Sequence, residues 1–430
     1  MITIEELYKI FIKHPHITTD SRQCSQGAIF FALKGDNFNG NKFAKSALEK
    51  GCAYAVIDEP QEEQDDRYLL TTNVLETLQK LAQYHRDQLS IPIIGITGTN
   101  GKTTTKELIA TVLKKNYSVQ YTKGNFNNHI GVPISILSID STHDIAVIEM
   151  GANHPKEIEF LTKISKPTCG LITNVGKAHL EGFGSLEGVI NTKKELYDWL
   201  ISHKGTIFVN HNNEYLTPLV KGYDKVEYYS SNPESEDATT GEITKCNPYL
   251  HFKLRGVDGE ISTHLIGSYN IDNILSAVAI GRKFGISDEM IVEAITEYTP
   301  TNNRSQLMET ERNSVIIDAY NANATSMKAA IENFNMIETK APKCAILGDM
   351  LELGEQSSIE HQRIITLLEN SKIDNIILVG KEFGNTTHHY RWYETSAQLA
   401  EKLKTDPIQK EMILLKGSHG IGLQKLIELL

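Results

Sequence analysis

The strongest chemical signal in the sequence is the stretch IPIIGITGTNGKTTTKEL at residues 91–108. Its apolar, β-branched first half predicts a buried strand at Ile93–Thr97, and its last residues are typical of the start of a helix. Glycines between a strand and a helix allow a tight turn whose backbone N–H groups face an anion. The Lys102 ammonium can reach the outer phosphates of a nucleotide, and the Thr103 hydroxyl can ligate Mg²⁺. The predicted phosphate loop consists of Gly98, Thr99, Asn100, Gly101, Lys102, Thr103 and Thr104.

The spacing of this loop departs from the strict phosphate-loop pattern. That pattern requires a glycine six positions before the lysine, where this chain has Ile96. The alternative interpretation is a glycine turn that ends in an exposed lysine. We favour the phosphate site because the strand, the helix and the Gly-Lys-Thr core agree. Kinases, switches and ligases all use such a loop, so the loop alone does not identify a reaction.

Three further side chains are candidates for chemistry at the same site. Glu149 ends a predicted strand, Ile145–Glu149, and ligands of open α/β sheets bind beyond the carboxyl ends of the strands. Its carboxylate suits Mg²⁺, although a solvated strand-end glutamate is an equally good interpretation. His179 follows a predicted strand at 170–173 and could bind a metal through a neutral ring nitrogen, but a lone histidine is more often structural. A lysine in the position of Lys193 is ordinarily a solvated surface residue, and its ammonium would repel Mg²⁺.

The elements that position these residues alternate between strands and helices. From Ile93 onward this alternation predicts a mostly parallel sheet, with further strands at 118–121 and 206–210. The Asp258-Gly259 turn predicts an antiparallel ribbon, and the polar residues 232–241 before it predict an exposed loop. A second strand–helix series from about Arg304 predicts a Rossmann-like doubly wound domain. We therefore expect an α/β protein of three domains, at 1–89, 90–302 and 303–430.

Composition excludes several classes of protein. The hydrophobic content is 40%, and no apolar run approaches the ~20 residues of a membrane-spanning helix. A net charge of −11 disfavours nucleic acid as a partner. The five cysteines are far apart and form no CxxC pair, so they indicate neither a zinc site nor a disulfide framework. The N-terminus lacks the pattern of a signal peptide, and we expect a cytoplasmic enzyme.

Taken in order along nearly the whole chain, these motifs resemble the Mur ligases, the ATP-dependent amide-forming enzymes of peptidoglycan synthesis. Residues 97–103 match the ATP loop of that family. The resemblance implies ATP and Mg²⁺ as cofactors and a carbamylated lysine at Lys193, although the adjacent Lys194 leaves the register open. The implied catalytic residues are Lys102, Glu149, His179 and Lys193, and the implied metal ligands are Thr103, Glu149, His179 and Lys193.

The resemblance also implies binding residues in each domain. Near the nucleotide it places Asn270, Asn273, Arg304 and Asp318. For the UDP-substrate it implies Asp20, Ser21 and Arg22 in the first domain, and Asn125, Asn127 and Asn128 in the second. For the third-domain side of the acceptor site it implies Tyr320, Asn321 and Asn323 of the segment DAYNAN. Two residues depart from the family pattern, with Ala324 in place of a proline and His419 in place of an arginine.

The implied reaction joins D-alanyl-D-alanine to UDP-N-acetylmuramoyl-tripeptide through an acyl phosphate and releases ADP and phosphate. We expect small-molecule substrates and a monomer, while the third residue of the peptide stays open between lysine and diaminopimelate. The segments DAYNAN and GDMLELG, with His361 downstream, argue against a ligase that adds a single amino acid and against a folylpolyglutamate-type ligase. A nucleotide-binding scaffold without ligase activity and a simple kinase are the remaining alternatives.

Overall fold

The computed structural model describes residues 1–62, 65–176, 180–236 and 238–430. In these ranges the chain builds three α/β units, each around its own sheet, and one small two-stranded ribbon. The mixed α/β class that the sequence predicts is confirmed, as is the large, mostly parallel sheet.

The N-terminal unit is a four-stranded sheet of order β1-β2-β5-β6, in which every pair is parallel. Its strands are β1 (Ile17–Thr18), β2 (Ile29–Phe31), β5 (Tyr54–Ile57) and β6 (Tyr68–Leu70), and β3 (Lys34–Gly35) pairs with β4 (Phe38–Asn39) in the ribbon. Its helices are α1 (Ile4–Lys13), α2 (Ala44–Glu49) and α3 (Val74–Gln88), with a 3₁₀ turn at Gly40–Phe43.

The central unit is a nine-stranded sheet of order β15-β14-β13-β12-β11-β10-β7-β9-β8. Its strands are β7 (Ile93–Thr97), β8 (Val119–Tyr121), β9 (Ile145–Glu149), β10 (Cys169–Ile172), β11 (Thr206–Asn210), β12 (Val226–Ser230), β13 (Ala238–Cys246), β14 (Tyr249–Leu254) and β15 (Ile261–Ile266). Its helices are α4 (Lys102–Leu113), α5 (Gly131–Leu137), α6 (Glu157–Ser165), α7 (Leu180–Phe183), α8 (Leu186–Ser202), α9 (Asn270–Lys283) and α10 (Asp288–Glu297), with a 3₁₀ turn at Thr217–Val220.

The order of the central sheet brings the predicted site residues together. Strand β7 lies between β10 and β9, and all three run parallel. The phosphate loop follows β7, Glu149 is the last residue of β9, and Thr173 comes directly after β10. The three carboxyl ends therefore meet at one edge of the sheet, where ligands of open α/β sheets bind.

The antiparallel part of the central sheet is larger than the sequence predicts. Strands β13, β14 and β15 are antiparallel, and β13 joins the rest of the sheet by parallel pairing with β12. The prediction of an exposed loop over 232–241 is wrong at its end, because β13 begins at Ala238 and both Thr240 and Gly241 are buried. These residues are polar or small, and their place in the sheet depends on partners distant in the sequence.

The C-terminal unit is a six-stranded sheet of order β16-β17-β21-β18-β19-β20, in which only β16 runs antiparallel. Its strands are β16 (Gln306–Glu309), β17 (Ser314–Asp318), β18 (Lys343–Gly348), β19 (Asn375–Val379), β20 (Arg391–Tyr393) and β21 (Met412–Lys416). Its helices are α11 (Ala324–Met336), α12 (Ser357–Glu369), α13 (Lys381–Gly384) and α14 (Ser396–Thr405), with 3₁₀ segments at Gly354–Gln356, His419–Ile421 and Leu423–Leu429. None of the helices in the described ranges is both long and apolar enough to span a membrane.

A buried arginine joins the N-terminal unit to the central one. Arg86, near the end of α3, donates from its guanidinium to the carbonyls of Ser165 at 2.9 Å and Lys166 at 3.1 Å, at the end of α6. It also donates to the Leu89 carbonyl at 2.8 Å, where the chain leaves α3. A cation at this position satisfies carbonyls that the helix end leaves without partners and complements the negative end of its dipole.

Replacing this guanidinium should loosen the junction. We expect Arg86→Met to lower the free energy of unfolding by about 2 kcal/mol or more, since one buried and two partly buried carbonyls lose a charged donor. The matched control is Lys80→Met on the same helix, where an exposed pair with Glu76 contributes at most ~0.5 kcal/mol. Thermal unfolding midpoints measure both effects, and equal midpoints for the two variants would contradict the role given to Arg86.

Candidate active site

A cavity of about 660 Å³ lies at the carboxyl ends of β7 and β9, between the central and C-terminal units. The predicted site residues that line it are Thr99, Asn100, Gly101, Lys102, Thr103, Thr104, Asn125, Asn127, Asn128, Glu149, Lys193, Asn270, Asn273, Arg304, Asp318, Tyr320, Asn321 and Asn323. These residues span more than 220 positions of the chain, so the fold gathers most of the predicted set in one place.

The phosphate loop depends on two glycines with positive φ. Gly98 has φ +148°, and a Cβ there would lie 1.9 Å from Oγ1 of Thr173. Gly101 has φ +79°, and a Cβ there would lie 2.6 Å from Oδ1 of Asn273. A side chain at either position would be strained by the backbone and would have to displace a neighbouring side chain.

Asn100 is held on several sides. Its carbonyl accepts hydrogen bonds from Thr173 Oγ1 at 2.6 Å and Asn174 Nδ2 at 3.1 Å, and its N–H donates to Asn174 Oδ1 at 2.9 Å. Its own Oδ1 accepts from Nδ2 of Asn323 at 2.8 Å. The tip of the loop is therefore fixed by the segment after β10 and contacted by the C-terminal unit.

The Lys102 side chain folds back over the loop. Its Nζ donates to the carbonyls of Gly98 at 2.8 Å and Thr99 at 3.1 Å. Burial lowers the pKa of Lys102, while the charge of Glu149 raises it. The ammonium thus lies at the surface of the loop, where it can neutralise an incoming phosphate.

Glu149 is buried, and its two carboxylate oxygens have different surroundings. Oε1 accepts hydrogen bonds from Asn127 Nδ2 at 2.8 Å and Thr103 Oγ1 at 3.3 Å. Oε2 has no hydrogen-bond partner among the described residues. A buried carboxylate oxygen without a donor, next to a threonine hydroxyl, fits the oxygen ligands that Mg²⁺ prefers.

Lys193 lies on α8 and is buried, contrary to the ordinary expectation of a solvated lysine. Burial, together with the charge of Lys102, lowers the pKa of Lys193 to about 7. Its Nζ lies 5.6 Å from the centre of the Phe183 ring. The neighbouring Lys194 is partly exposed and pairs with Asp198 on the same helix. The two lysines are therefore chemically distinct, and only Lys193 faces the cavity.

One residue of the predicted metal set cannot be placed in the site, and the other three line the cavity. His179 lies outside the described residues. Within the ranges that the structure covers, no cluster of three or more histidine, cysteine, aspartate or glutamate side chains could hold a metal ion. Mg²⁺ at nucleotide sites usually takes one or two carboxylates together with phosphate oxygens, so Glu149 and Thr103 suffice for that mode.

The residues predicted to bind the nucleotide surround one end of the cavity. Asn270 and Asn273 begin α9, and Nδ2 of Asn273 donates to Oδ1 of Asn270 at 2.8 Å. Oδ1 of Asn273 accepts from Thr105 Oγ1 at 3.0 Å, which ties α9 to the helix after the phosphate loop. The Arg304 guanidinium stacks over the Tyr320 ring, with 3.9 Å between its Cζ and the ring centre.

Several predicted substrate residues have partners inside the protein. Asn127 holds Glu149, and Oδ1 of Asn128 accepts the N–H groups of Ile130 and Gly131 at the start of α5. Asn323 caps α11 through a hydrogen bond from the Ser326 N–H. Asn127 therefore positions the Glu149 carboxylate, and Asn323 positions the start of α11, at the cavity.

The predicted set Asp20, Ser21 and Arg22 does not line the cavity. It lies after β1 in the N-terminal unit, where Arg22 is 85% exposed and pairs with Asp20 at 2.8 Å. Hydrogen bonds from Arg22 lower the pKa of Asp20 to about 2.

Among the residues that sequence reasoning missed, three have direct polar contacts with predicted site residues. Lys106, one turn after Lys102, is buried with its Nζ 3.9 Å from Oε2 of Glu149. Lys416 ends β21 and pairs with Asp318 at 2.5 Å, and Asn174 holds the loop. The four-residue spacing of Lys102 and Lys106 could have identified Lys106, whereas Lys416 and Asn174 have no signal in the sequence.

Models of three families match successive parts of the chain. The Mur ligase family catalytic domain matches residues 14–91, the Mur ligase middle domain matches 96–281, and the Mur ligase glutamate ligase domain matches 303–419.

Individual proteins match over nearly the whole chain. The UDP-N-acetylmuramoyl-tripeptide–D-alanyl-D-alanine ligase of Bacillus subtilis is 32% identical, over 96% of this chain and 92% of the relative. A crystal structure of MurF from Acinetobacter baumannii superposes with a TM-score of 0.85 at 29% identity, over 96% of this chain and 92% of that one. MurF from Thermotoga maritima in complex with ADP has a TM-score of 0.81 at 25% identity, over 96% of both chains.

The role of the loop glycine can be tested with a matched pair of variants. Gly101→Ala and Gly222→Ala each place a side chain at positive φ, at a strain of about 1–2 kcal/mol, but a Cβ at Gly222 meets nothing within 4 Å. We expect Gly101→Ala to weaken binding of an ATP analogue by roughly tenfold or more, because Asn273 must also move. Gly222→Ala should bind like the unaltered protein. Equal affinities for the two variants, measured by calorimetry, would contradict this account of the loop.

Proposed function

The chain belongs to the Mur ligase family, and from this premise we propose that it joins D-alanyl-D-alanine to UDP-N-acetylmuramoyl-tripeptide at the expense of ATP. The relatives that match over nearly its full length carry that activity in their names. The observation that carries the proposal is the meeting of the phosphate loop, Glu149, Lys193 and the segment DAYNAN around one cavity.

The physical requirement of this reaction is to bring two anions together. The tripeptide carboxylate attacks the γ-phosphorus of ATP, which forms an acyl phosphate and releases ADP. The amine of D-alanyl-D-alanine then attacks the acyl carbon, and a tetrahedral intermediate collapses to the amide with loss of phosphate. Lys102 neutralises charge on the γ-phosphate during the first step, which is the main contribution a protein makes to phosphoryl transfer.

Thr103 and Glu149 are the residues that would hold Mg²⁺, and a second metal position would involve His179 and a carbamylated Lys193. Bound Mg²⁺ would supply additional positive charge beside the phosphates. Support for the carbamate comes from the buried position of Lys193 and its lowered pKa, because a neutral amine is the form that reacts with carbon dioxide.

The remaining binding roles follow the same proposal. Asn270, Asn273, Arg304 and Asp318 would bind the nucleotide, and Tyr320, Asn321 and Asn323 would form the third-domain side of the acceptor site. Asp20, Ser21 and Arg22 of the first domain would bind the UDP part of the substrate. Asn125 would contact the substrate from the central domain, where its side chain is the most available of the predicted residues. The domains would span 1–89, 90–302 and 303–430 in a cytoplasmic monomer.

The product identifies the reaction directly. Incubation with UDP-N-acetylmuramoyl-tripeptide, D-alanyl-D-alanine and ATP should give one new species, equal in mass to the two substrates less one water, and one phosphate per turnover. Supplying single amino acids or folate substrates in place of the dipeptide separates this reaction from that of the sister ligases. Phosphate release with a single amino acid but none with the dipeptide would contradict the proposal.

The two adjacent lysines provide a matched test of the carbamate. We expect Lys193→Ala to abolish activity, with partial rescue by short-chain carboxylates that replace the lost anion. Lys194→Ala should keep near-normal turnover, because its side chain points to solvent and pairs with Asp198. Normal turnover of Lys193→Ala would show that no carbamate at this position is required.

The carbamate should also depend on pH. Because the pKa of Lys193 is lowered to about 7, the amine is increasingly protonated below that pH and reacts less with carbon dioxide. A carbamate signal in the carbon NMR spectrum of protein equilibrated with ¹³C-labelled bicarbonate should therefore be present at pH 8 and weaken as the pH falls below 7. The signal should be absent in Lys193→Ala and kept in Lys194→Ala.

A further inference from the structure

A buried lysine that the proposed reaction does not use faces the free oxygen of Glu149. Lys106 lies on α4, and the side chains of Lys106 and Glu149 are 1% and 2% exposed. The distance of 3.9 Å between Nζ of Lys106 and Oε2 of Glu149 is longer than a hydrogen bond. The ammonium therefore balances the charge of the carboxylate without occupying its free oxygen.

The rest of the surroundings keep this arrangement in place. Oε1 of Glu149 is held by Asn127 and Thr103, so the carboxylate is oriented with Oε2 toward Lys106. The Tyr121 ring lies beside Lys106 at 5.7 Å, and Lys114 and Lys123 lie over the same ring at 4.4 and 4.0 Å. Lys106 therefore lies between the carboxylate of Glu149 and the tyrosine ring that Lys114 and Lys123 also contact.

We propose that Lys106 is a positioning residue that makes Mg²⁺ binding at Glu149 depend on the nucleotide. A divalent cation that approaches Oε2 meets a buried ammonium, and at low dielectric this repulsion is strong. Without nucleotide, the single negative charge of Glu149 is already balanced by Lys106. The phosphates of ATP bring further negative charge to the loop, so the metal binds together with the nucleotide and only weakly before it.

This inference rests on the proposed metal role of Glu149, and the variants separate the two. Glu149→Gln removes the ligand, so the binding of Mg²⁺ to the protein's complex with a non-hydrolysable ATP analogue should weaken strongly. If Glu149→Gln binds Mg²⁺ like the unaltered protein, the metal site itself is wrong. If Glu149→Gln loses binding but removal of the Lys106 charge has no effect, only the present inference is wrong.

The decisive variant is Lys106→Met, studied without substrate. We expect its affinity for Mg²⁺ alone to rise by about tenfold or more in calorimetry, because a nearby like charge is removed. With a non-hydrolysable ATP analogue present the gain should be smaller, so that the nucleotide enhances Mg²⁺ binding less than in the unaltered protein. Lys114→Met, directly after the end of the same helix and beside the same tyrosine, is the matched control and should leave both affinities unchanged.

A stability measurement keeps the inference testable if the variant folds poorly. Lys106→Met removes the ammonium that faces the free oxygen of a buried carboxylate, so the thermal midpoint of the variant in EDTA should fall, and Mg²⁺ should restore it. The double variant Lys106→Met/Glu149→Gln removes both charges, so its midpoint in EDTA should exceed that of Lys106→Met and should not respond to Mg²⁺. A Lys106→Met protein that binds Mg²⁺ no more tightly than the unaltered one, or whose midpoint Mg²⁺ does not raise, would overturn the proposal.

Discussion

The burial of one carboxylate, that of Glu149, is the constraint on which the rest of the site depends. A buried charge is tolerated only where donors and counter-charges surround it. Here Asn127 and Thr103 donate to one oxygen, and Lys106 faces the other. These partners come from the segments after β7 and β8, so the strand order of the central sheet determines whether the charge can be buried at all.

The second organising contact crosses between units. Asn323 caps the first helix of the C-terminal unit and at the same time donates to Asn100 of the phosphate loop. The family pattern has proline directly after this asparagine, and here Ala324 begins α11. The helix start does not need the proline, because Asn323 and Ser326 exchange hydrogen bonds in a capping box that sets the same boundary. His419, the other departure, lies beside Tyr320 with 5.8 Å between the ring centres, on the ring that Arg304 also contacts.

The sequence predicts those parts of the molecule whose signal is local. Strands Ile93–Thr97 and Ile145–Glu149 are found with the predicted bounds, because they are short apolar runs buried on both faces. Strands β12 and β16 were missed, since Val226–Ser230 and Gln306–Glu309 are partly exposed and their pairing depends on distant segments. The sequence at 423–430 predicts a helix, and the structure has a 3₁₀ segment there instead, Leu423–Leu429.

The residues of the site likewise divide into those that a local pattern identifies and those that depend on distant contacts. The phosphate loop and Glu149 follow from strand ends, which a local pattern identifies. The contact between Asn100 and Asn323 joins residues 223 positions apart, and no spacing rule predicts it. The same holds for Asn127, whose amide orients Glu149, and for Lys416, whose pairing with Asp318 requires that β17 and β21 be neighbours.

The amide-to-amide contact between Asn323 and Asn100 also has a consequence for inhibitor design. Because opposite walls of the cavity belong to different units, a rigid compound shaped to both walls would bind only while they are in register. Its association rate would then depend on the fraction of enzyme molecules in that arrangement. Its residence time would depend on the rate at which the two walls separate. A compound that replaces the contact by hydrogen-bonding to both amides would keep the two walls together and would therefore dissociate slowly.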